Sequence, residues 1–411
     1  MAKLAYRVLY LRDFRFFITA RFLFTFGVQM QAVVVGWQVY EYTRDAWALG
    51  LIGLAEALPF LVTGLIGGHV SDTVERKKVI LVAVSLYWIC AFVLLLISWK
   101  FDVLLRQNGI GVLYVVIFFT GIARGFLAPS SSAFMSQLVH RPYYTYSSTW
   151  NSTVWHIAAV TGPAAGGLIY GWFGVVVSYM LVLLFVSASL IMYYQVKARS
   201  LPPDSGKDEP LFTRLTAGLN FVFRKPEMLG AMALDMFAVL FGGAVAMLPV
   251  FADTILHVGP QGLGVLRAAP AMGAILMAFV LANNPPLHNA GKKLLASIGV
   301  FGLCMVLFAL STNFYLSFVL LLLSGMFDNV SVIIRNTIVQ MFTPDEMRGR
   351  VSAVSSLFIG SSNEIGAFES GAAARILGLV PSVIFGGCIT LGIVAGMWYK
   401  VPKLRNLQLK E

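Results

Sequence analysis

The stretch Gly67-Gly68-His69-Val70-Ser71-Asp72-Thr73-Val74-Glu75-Arg76-Lys77-Lys78 separates two long apolar segments. Because its charged side chains cannot stay in lipid, we expect it to form a tight aqueous turn between two membrane helices. It ends in three consecutive cations, and short loops rich in Lys and Arg are retained in the cytoplasm. The stretch therefore predicts a cytoplasmic turn, and alternation along the chain then orients every other loop.

The composition predicts a helical membrane protein. Of the 411 residues, 58% are hydrophobic and 12% are charged, and the mean hydropathy is +0.80. A soluble domain could not cover its surface with so few polar groups. The net charge of +11 comes from short clusters between apolar segments. This placement indicates that the cations orient the loops and face anionic lipid, rather than that they form a surface for nucleic acid.

Apolar segments long enough to cross about 30 Å of hydrocarbon recur from end to end. We predict twelve of them, at 14–42, 46–69, 77–98, 109–137, 144–173, 175–195, 226–252, 260–283, 292–310, 313–341, 347–377 and 380–400. The termini and the loops on their side hold 22 of the 30 Lys and Arg residues, so both termini are expected to be cytoplasmic. The predicted fold class is an all-α membrane protein of 12 transmembrane helices in two six-helix bundles, most simply a monomer.

Three regions make up the predicted domain organisation: an N-terminal bundle over 1–195, a cytoplasmic linker with a short interfacial helix over 196–225, and a C-terminal bundle over 226–411. An internal repeat supports this division. Gly162-Pro163-Ala164-Ala165-Gly166-Gly167 corresponds to Gly366-Ala367-Phe368-Glu369-Ser370-Gly371 at an offset of 204 residues. Two halves with matching elements indicate a transporter with a site between the repeats.

These segments resemble the major facilitator superfamily over essentially the whole chain. In that family the loop between spans two and three reads Gly-x-Leu-Ala-Asp-Arg-x-Gly-Arg-Lys. Gly68, Asp72, Arg76 and Lys77 match it, whereas Thr73 and Glu75 depart from it. The segment Gly162–Gly167, here called the glycine element, resembles a segment of this superfamily that is associated with antiporters and exporters. Arg348-Gly349-Arg350-Val351-Ser352 is similar to a bacterial branch that includes the enterobactin exporter, which implies a location in the bacterial inner membrane.

The resemblance implies a gate. The Asp72 carboxylate would face the start of span eleven, which Thr343-Pro344-Asp345-Glu346 predicts to begin there with Thr343 as its cap. The alternative is that Asp72 only caps its own turn. The glycine element would allow close helix approach and bending. The predicted gating residues are Gly68, Asp72, Arg76, Lys77, Gly162, Pro163, Gly166, Gly167 and Arg350.

Charged residues inside the predicted spans are the candidates for transport chemistry. Each would cost at least about 2.5 kcal/mol facing lipid, so each must face a cavity or another charge. Five acids and five arginines fall there, which keeps structural pairing open as the alternative. Asp328 and Arg335 share a helical face, so Arg335 is expected to neutralise or orient Asp328. Glutamines of span one could line the cavity or bond neighbouring helices.

A proton-coupled carrier needs a carboxylate that takes up and releases a proton near neutral pH. Four acids, Asp235, Asp328, Glu364 and Glu56, qualify by residue type, and the sequence does not rank them. The predicted cavity residues are Arg124, Asp235, Asp328, Arg335, Glu364, Gln31, Trp37 and Glu56.

No complete phosphate loop, zinc-protease motif or nucleophile elbow occurs in the sequence. We therefore predict a chain that is not an enzyme, holds no cofactor or metal, and draws on an ion gradient. The leading hypothesis is a proton-coupled exporter of a small organic compound, either a siderophore or an amphipathic drug-like molecule. The alternatives are a lipid or lysophospholipid flippase, an uptake carrier, and a non-transporting membrane sensor or scaffold.

Overall fold

The computed structural model describes residues 8–100, 110–140, 143–197, 211–242, 244–284, 286, 288–344 and 347–409. These residues form helices joined by turns, and no strand occurs among them. The helices are α1 (Arg12–Thr43), α2 (Ala46–Thr73), α3 (Arg76–Lys100), α4 (Gly111–Leu138), α5 (Tyr144–Gln195), α6 (Leu211–Phe223), α7 (Pro226–Phe241), α8 (Gly259–Asn283), α9 (Ala290–Leu310), α10 (Phe314–Phe342), α11 (Arg348–Leu377), α12 (Leu379–Lys400) and α13 (Pro402–Arg405). Three short helical pieces, Ala244–Met247, Leu248–Val250 and Phe251–Ile255, connect α7 to α8.

The helices follow the predicted segments closely. Ten helical stretches of the described chain are long and apolar enough to cross a membrane. Predicted spans five and six occur as α5, a 52-residue helix that is broken at Gly174. Predicted span eleven is α11, a 30-residue helix that is less apolar than the other long helices. The all-helical class is confirmed, whereas twelve crossings and the side of the termini stay predictions.

The stretch from Gly67 to Lys78 is mostly helical. α2 continues to Thr73 and α3 begins at Arg76, so only Val74 and Glu75 form the turn. The prediction of a turn over the whole stretch is wrong. A helix can continue beyond the hydrocarbon when no proline interrupts its hydrogen bonds, and its polar side chains then reach water without unwinding.

Two glycine breaks repeat the offset found in the sequence. Gly174 divides α5 with φ 80° and ψ 179°, and Gly378 separates α11 from α12 with φ 92° and ψ 161°. This backbone region is essentially restricted to glycine. The two positions lie 204 residues apart, the same offset as the glycine elements. The internal repeat is therefore present in the backbone conformation as well as in the sequence.

The chain divides into two compact units. Unit 1 comprises Met1–Arg44, Ala55–Asp208 and Gly259–Ala268, and unit 2 comprises Asp45–Leu54, Glu209–Val258 and Ala269–Glu411. The beginning of α2 thus belongs to unit 2, and the beginning of α8 belongs to unit 1. The predicted domain boundaries at 195 and 226 stay a prediction.

A helix is present at the predicted position as α6 and packs within unit 2, whereas its location at the membrane interface stays a prediction. Val222 is fully buried in the core of unit 2, among residues of α7, α9, α10 and α11. A Cβ built on Gly218 would lie 2.8 Å from the carbonyl oxygen of Arg350. α6 therefore lies directly against the first turns of α11.

Candidate functional site

A buried ion pair lies inside unit 2. Asp235 of α7 accepts a hydrogen bond at Oδ2 from Nη1 of Arg335 on α10. Their side chains are only 5% and 4% exposed, respectively. Ser331, one turn before Arg335, donates from Oγ to Asp235 Oδ1 at 3.1 Å. Both carboxylate oxygens of Asp235 are therefore satisfied by α10.

Asp328 lies on the same helix, close enough to Asp235 and Arg335 to interact with both electrostatically. Within the described part of the chain its carboxylate has no hydrogen bond and no ion pair. Arg335 forms its ion pair with Asp235 of α7, and the expectation that Arg335 neutralises or orients Asp328 stays a prediction. Spacing along one helix cannot tell which neighbouring helix faces it. The result is a cluster of two acids and one arginine, of which one acid is unpaired.

A narrow cleft adjoins this cluster within unit 2. Met232 and Met236 of α7 line it together with Ser355, Phe358 and Ile359 of α11, and Asp235 and Arg335 form its polar part. Arg335 Nε has no hydrogen-bond partner among the described residues. The cluster thus has an unused donor next to a wall of thioether, aromatic and aliphatic groups.

A second ion pair joins α2 and α4 in unit 1. Arg124 Nη1 donates to Glu56 Oε1, and the Arg124 guanidinium lies over the Phe60 ring at 5.6 Å. The two side chains are 32% and 20% exposed, so this pair is more accessible than the pair in unit 2. Arg124 and Glu56 were both predicted cavity residues, and the structure realises the pairing alternative for them.

The sequence contains a signal for this contact that the sequence analysis missed. Gly121 and Gly125 flank Arg124 with the spacing of close helix crossings. A Cβ on Gly121 would lie 2.6 Å from Glu56 O, and one on Gly125 would lie 3.0 Å from Phe60 O. The two glycines bring α2 and α4 into backbone contact, which places Arg124 beside Glu56.

Two glutamines and a tryptophan of α1 are buried within unit 1. Gln38 is fully buried, donates from Nε2 to Ser98 Oγ at 2.9 Å and accepts at Oε1 from the Tyr179 hydroxyl at 2.7 Å. Gln38 therefore serves as an interhelical hydrogen-bond partner, one of the two roles left open. Gln31 and Trp37 are 4% and 7% exposed. Their role in lining a cavity stays a prediction.

The cations of the predicted gate hold helix ends in unit 1. Arg76 Nε donates to Ser71 O at 3.1 Å, in the last turn of α2, and its Nη1 donates to Ala133 O of α4 at 3.2 Å. Lys77 Nζ donates to Tyr194 O at 3.0 Å and to Val196 O at 2.6 Å. Cations at carboxyl-terminal helix ends satisfy carbonyls that lack a partner within the helix and complement the helix dipole. Both side chains therefore act as helix caps in this structure.

The remaining parts of the predicted gate differ from expectation. α11 begins at Arg348, whereas Thr343 is extended at the end of α10 with φ −103° and ψ 117°, and its hydroxyl has no hydrogen-bond partner among the described residues. The predicted Thr343 cap is therefore wrong. The side chains of Asp72 and Glu364 and the residues 345–346 lie outside the described part of the chain, so the lock and the Glu364 assignment stay predictions.

Gly68 makes no close helix contact in the described structure, and the gating role of Arg350 stays a prediction. A Cβ on Gly68 would meet nothing within 4 Å, whereas one on the preceding Gly67 would lie 2.9 Å from Gly125 O. Arg350 Nη1 lies 3.8 Å from Met347 Sδ on the same helix. The close approach in this region therefore involves Gly67.

The glycine elements form backbone contacts inside each unit. In unit 1, Cβ atoms built on Gly162 and Gly166 would lie 3.0 Å from Phe26 O and 2.9 Å from Met30 O of α1. A Cβ on Gly167 would lie 2.6 Å from Gly264 Cα, at the start of α8. Pro163 takes part through its carbonyl oxygen, which would lie 2.7 Å from a Cβ on Gly264.

The repeat element makes the corresponding contact in unit 2. A Cβ on Gly371 would lie 2.5 Å from Gly50 Cα, at the start of α2. Gly371 follows Gly167 by the repeat offset of 204 residues. Each element therefore presents its last glycine to a glycine near the beginning of another helix.

Long apolar helices that bury ion pairs inside each of two compact units define a multi-pass membrane transporter. Over residues 5–411 the chain matches the family described as transmembrane secretion effector, and it belongs to this family of the major facilitator superfamily. It is 27% identical over 377 residues to the enterobactin exporter EntS of Shigella boydii serotype 18 (strain CDC 3083-94 / BS512), covering 91% of this chain and 88% of that protein.

Solved structures share the fold. A crystal structure of a POT family transporter in complex with a thioalcohol conjugated peptide has a TM-score of 0.75 and 13% identity, with 96% of both chains covered. A bacterial homolog of the human lysosomal transporter Spinster has a TM-score of 0.71 and 14% identity, covering 96% of this chain and 97% of that chain. The predicted superfamily, the non-enzymatic transport function and the multi-pass location in the bacterial inner membrane are confirmed by the family.

Proposed function

We propose that this chain is a proton-driven exporter of a small organic compound and works by alternating access. The compound is a siderophore or an amphipathic drug-like molecule. Membership of a secretion family and similarity to enterobactin exporters support the direction and the substrate class. The observation that carries the coupling is the cluster of Asp235, Asp328 and Arg335 inside unit 2, in which Asp328 has no ionic partner in the described chain.

The charge of this cluster supports proton coupling. With both acids ionised, two carboxylates and one guanidinium carry a formal charge of −1, and one added proton makes the cluster neutral. A net charge at membrane depth is costly unless water reaches it, so the two protonation states favour different degrees of hydration. A conformational equilibrium that changes hydration is then linked to proton binding.

The pair in unit 1 has a different charge balance. Glu56 and Arg124 are neutral together and need no additional proton. We therefore assign proton binding to Asp328 and a structural or substrate-orienting role to the Glu56–Arg124 pair.

Efflux from proteoliposomes tests the proposal. Vesicles containing the purified chain are loaded with enterobactin, and release is measured with and without an imposed pH gradient. We expect faster release when protons flow against the direction of substrate movement. Indifference of the wild type to the gradient would remove proton coupling, and release of an amphipathic dye without release of enterobactin would assign the amphipathic compound, and not the siderophore, as the substrate.

Asp328→Asn fixes the cluster in a neutral state, and this variant is compared with the wild type in the same efflux assay. We expect it to abolish acceleration by the gradient while leaving exchange of substrate across the membrane measurable. Glu227→Gln is the control, because Glu227 lies in the first turn of α7, outside the cluster. If Asp328→Asn responds to the gradient as the wild type does, Asp328 is not the coupling acid.

A further inference from the structure

The end of unit 2 that carries the C-terminus contains an apolar cavity between two helices. α8 and α10 cross in close contact: a Cβ on Gly273 would lie 1.9 Å from Leu322 O, and one on Gly325 would lie 2.0 Å from Pro270 O. Beyond this crossing they separate and leave a cavity of about 220 Å³. Its lining comprises Ala278, Leu281, Ala282, Pro286, Ile333, Ile334, Thr337 and Leu409.

Residues 402–409, here called the C-terminal strap, lead to this cavity. Leu404 is fully buried in the core of unit 2, and its carbonyl would lie 1.7 Å from a Cβ on Gly291, at the start of α9. The backbone N–H of Gly291 donates to Leu407 O at 3.2 Å. Leu409 is 3% exposed and forms part of the cavity wall. The strap thus crosses the start of α9 and partly closes the cavity.

Cations surround the strap. Lys292 and Lys293 lie exposed in the first turn of α9, and Lys400 and Lys403 lie exposed at the end of α12 and in α13. No acidic side chain of the described residues pairs with these four lysines. Arg405 lies over the Trp398 ring at 5.5 Å. Within the part of the chain that the structure describes, the patch therefore carries positive charge without an acidic partner.

Two aromatic residues place this region at the membrane surface. Trp398 is 36% exposed and Tyr399 is 80% exposed in the last turn of α12. Exposed Trp and Tyr at the end of a spanning helix are typical of the interface between headgroups and hydrocarbon. The cations then lie at headgroup level, and the apolar cavity begins just below them.

We propose that this end of unit 2 binds an anionic phospholipid. The phosphate headgroup contacts Lys292, Lys293 and Arg405, and one acyl chain enters the cavity beside Leu409. The lining of the cavity is apolar apart from the Thr337 hydroxyl, so a hydrocarbon chain is the suitable occupant. Basic patches next to spanning helices recognise anionic headgroups through the same charge complementarity.

Native mass spectrometry of the full chain tests the site with phosphatidylglycerol, phosphatidylcholine of the same acyl chains, and soluble glycerol phosphate. We expect phosphatidylglycerol to be retained at least tenfold better than phosphatidylcholine. The double variant K292Q/K293Q should lose this preference. The double variant R12Q/R15Q removes the same charge from exposed positions of unit 1 and should keep it.

Ala278→Leu tests the cavity without changing charge. Because it adds volume to the cavity wall, it should reduce retention of phosphatidylglycerol as strongly as K292Q/K293Q does. Unchanged retention of phosphatidylglycerol in Ala278→Leu would mean that no acyl chain enters the cavity, and it would overturn the proposal. Equal retention of the two lipids, equal binding of glycerol phosphate, or the same loss in R12Q/R15Q would also overturn it.

Discussion

We predict that the two partners of the Asp235–Arg335 pair contribute unequally to stability, because removing each of them leaves a different net charge in the cluster. Asp235→Asn leaves one acid, Asp328, with Arg335, so the cluster becomes neutral. Arg335→Met leaves two acids and no cation, so the cluster carries a formal charge of −2. We therefore expect Arg335→Met to destabilise the protein clearly more than Asp235→Asn does.

The magnitude follows from the burial of the pair. Two unit charges about 4 Å apart interact by about 4 kcal/mol at an effective dielectric constant of about 20. Removing one partner of a pair that is 4% and 5% exposed costs about 3–5 kcal/mol, because the remaining charge is left uncompensated. We expect Arg335→Met to lie in this range. Asp235→Asn keeps the Ser331 hydrogen bond and should cost about 1–3 kcal/mol.

The double variant Asp235→Leu with Arg335→Met completes the test. It removes both buried charges of the pair, and a buried pair replaced by apolar residues is often close to neutral in stability. The double variant should therefore be more stable than Arg335→Met alone. The exposed pair Glu75–Lys78 is the control, and Glu75→Gln should change stability by less than about 1 kcal/mol.

The free energy of unfolding is measured in mixed micelles by titration with a denaturing detergent. The reasoning fails if Arg335→Met costs no more than Glu75→Gln, or if the double variant is less stable than both single variants. A larger loss in Asp235→Asn than in Arg335→Met would show that the charge balance of the cluster does not control its stability.

Three further predictions follow from contacts in the structure. Asn313→Ala should cost about 1 kcal/mol, because the Asn313 side chain caps α10, whereas Thr343→Ala should change little; equal losses in the same unfolding titration would contradict this. Gly167→Ala should cost about 1–3 kcal/mol and lower transport, since its Cβ has no space, whereas Gly68→Ala should be tolerated; transport assays of both variants check the difference. Lys77→Gln should speed amide hydrogen exchange in the last turn of α5, and an unchanged exchange rate would exclude its capping role.

Helix positions could be predicted from the sequence because hydrocarbon thickness sets one length for every span. α1, α3 and α12 begin and end within three residues of the predicted bounds. The repeat could also be predicted, since glycines that are required for backbone contact cannot be replaced without a clash. Local capping was less predictable: Thr343 and Pro344 carry the pattern of a helix start, yet α11 begins at Arg348.

The partners of buried charges could be predicted only in part. Equal numbers of acids and arginines indicated pairing, but the helical face of Arg335 suggested Asp328 and not Asp235. Pairing depends on which helices are neighbours, and single-helix periodicity carries no such information. The spacing of Gly121 and Gly125 would have indicated the α2–α4 crossing, because small residues four apart permit close approach. No comparable glycine pair points from α10 to α7.

The two halves repeat the same backbone contacts, but they do not repeat the same pairing of charged side chains. Gly167 and Gly371 occupy equivalent positions and make equivalent contacts, so the architecture of both halves retains the repeat. Arg124 and Arg335 lie on α4 and α10, the fourth predicted span of each half, but their acids come from α2 and from α7. Only the pairing in unit 2 leaves another acid beside it in the described chain. The halves thus share one scaffold, and the asymmetry on which the proposed coupling to protons rests lies in the side chains of unit 2.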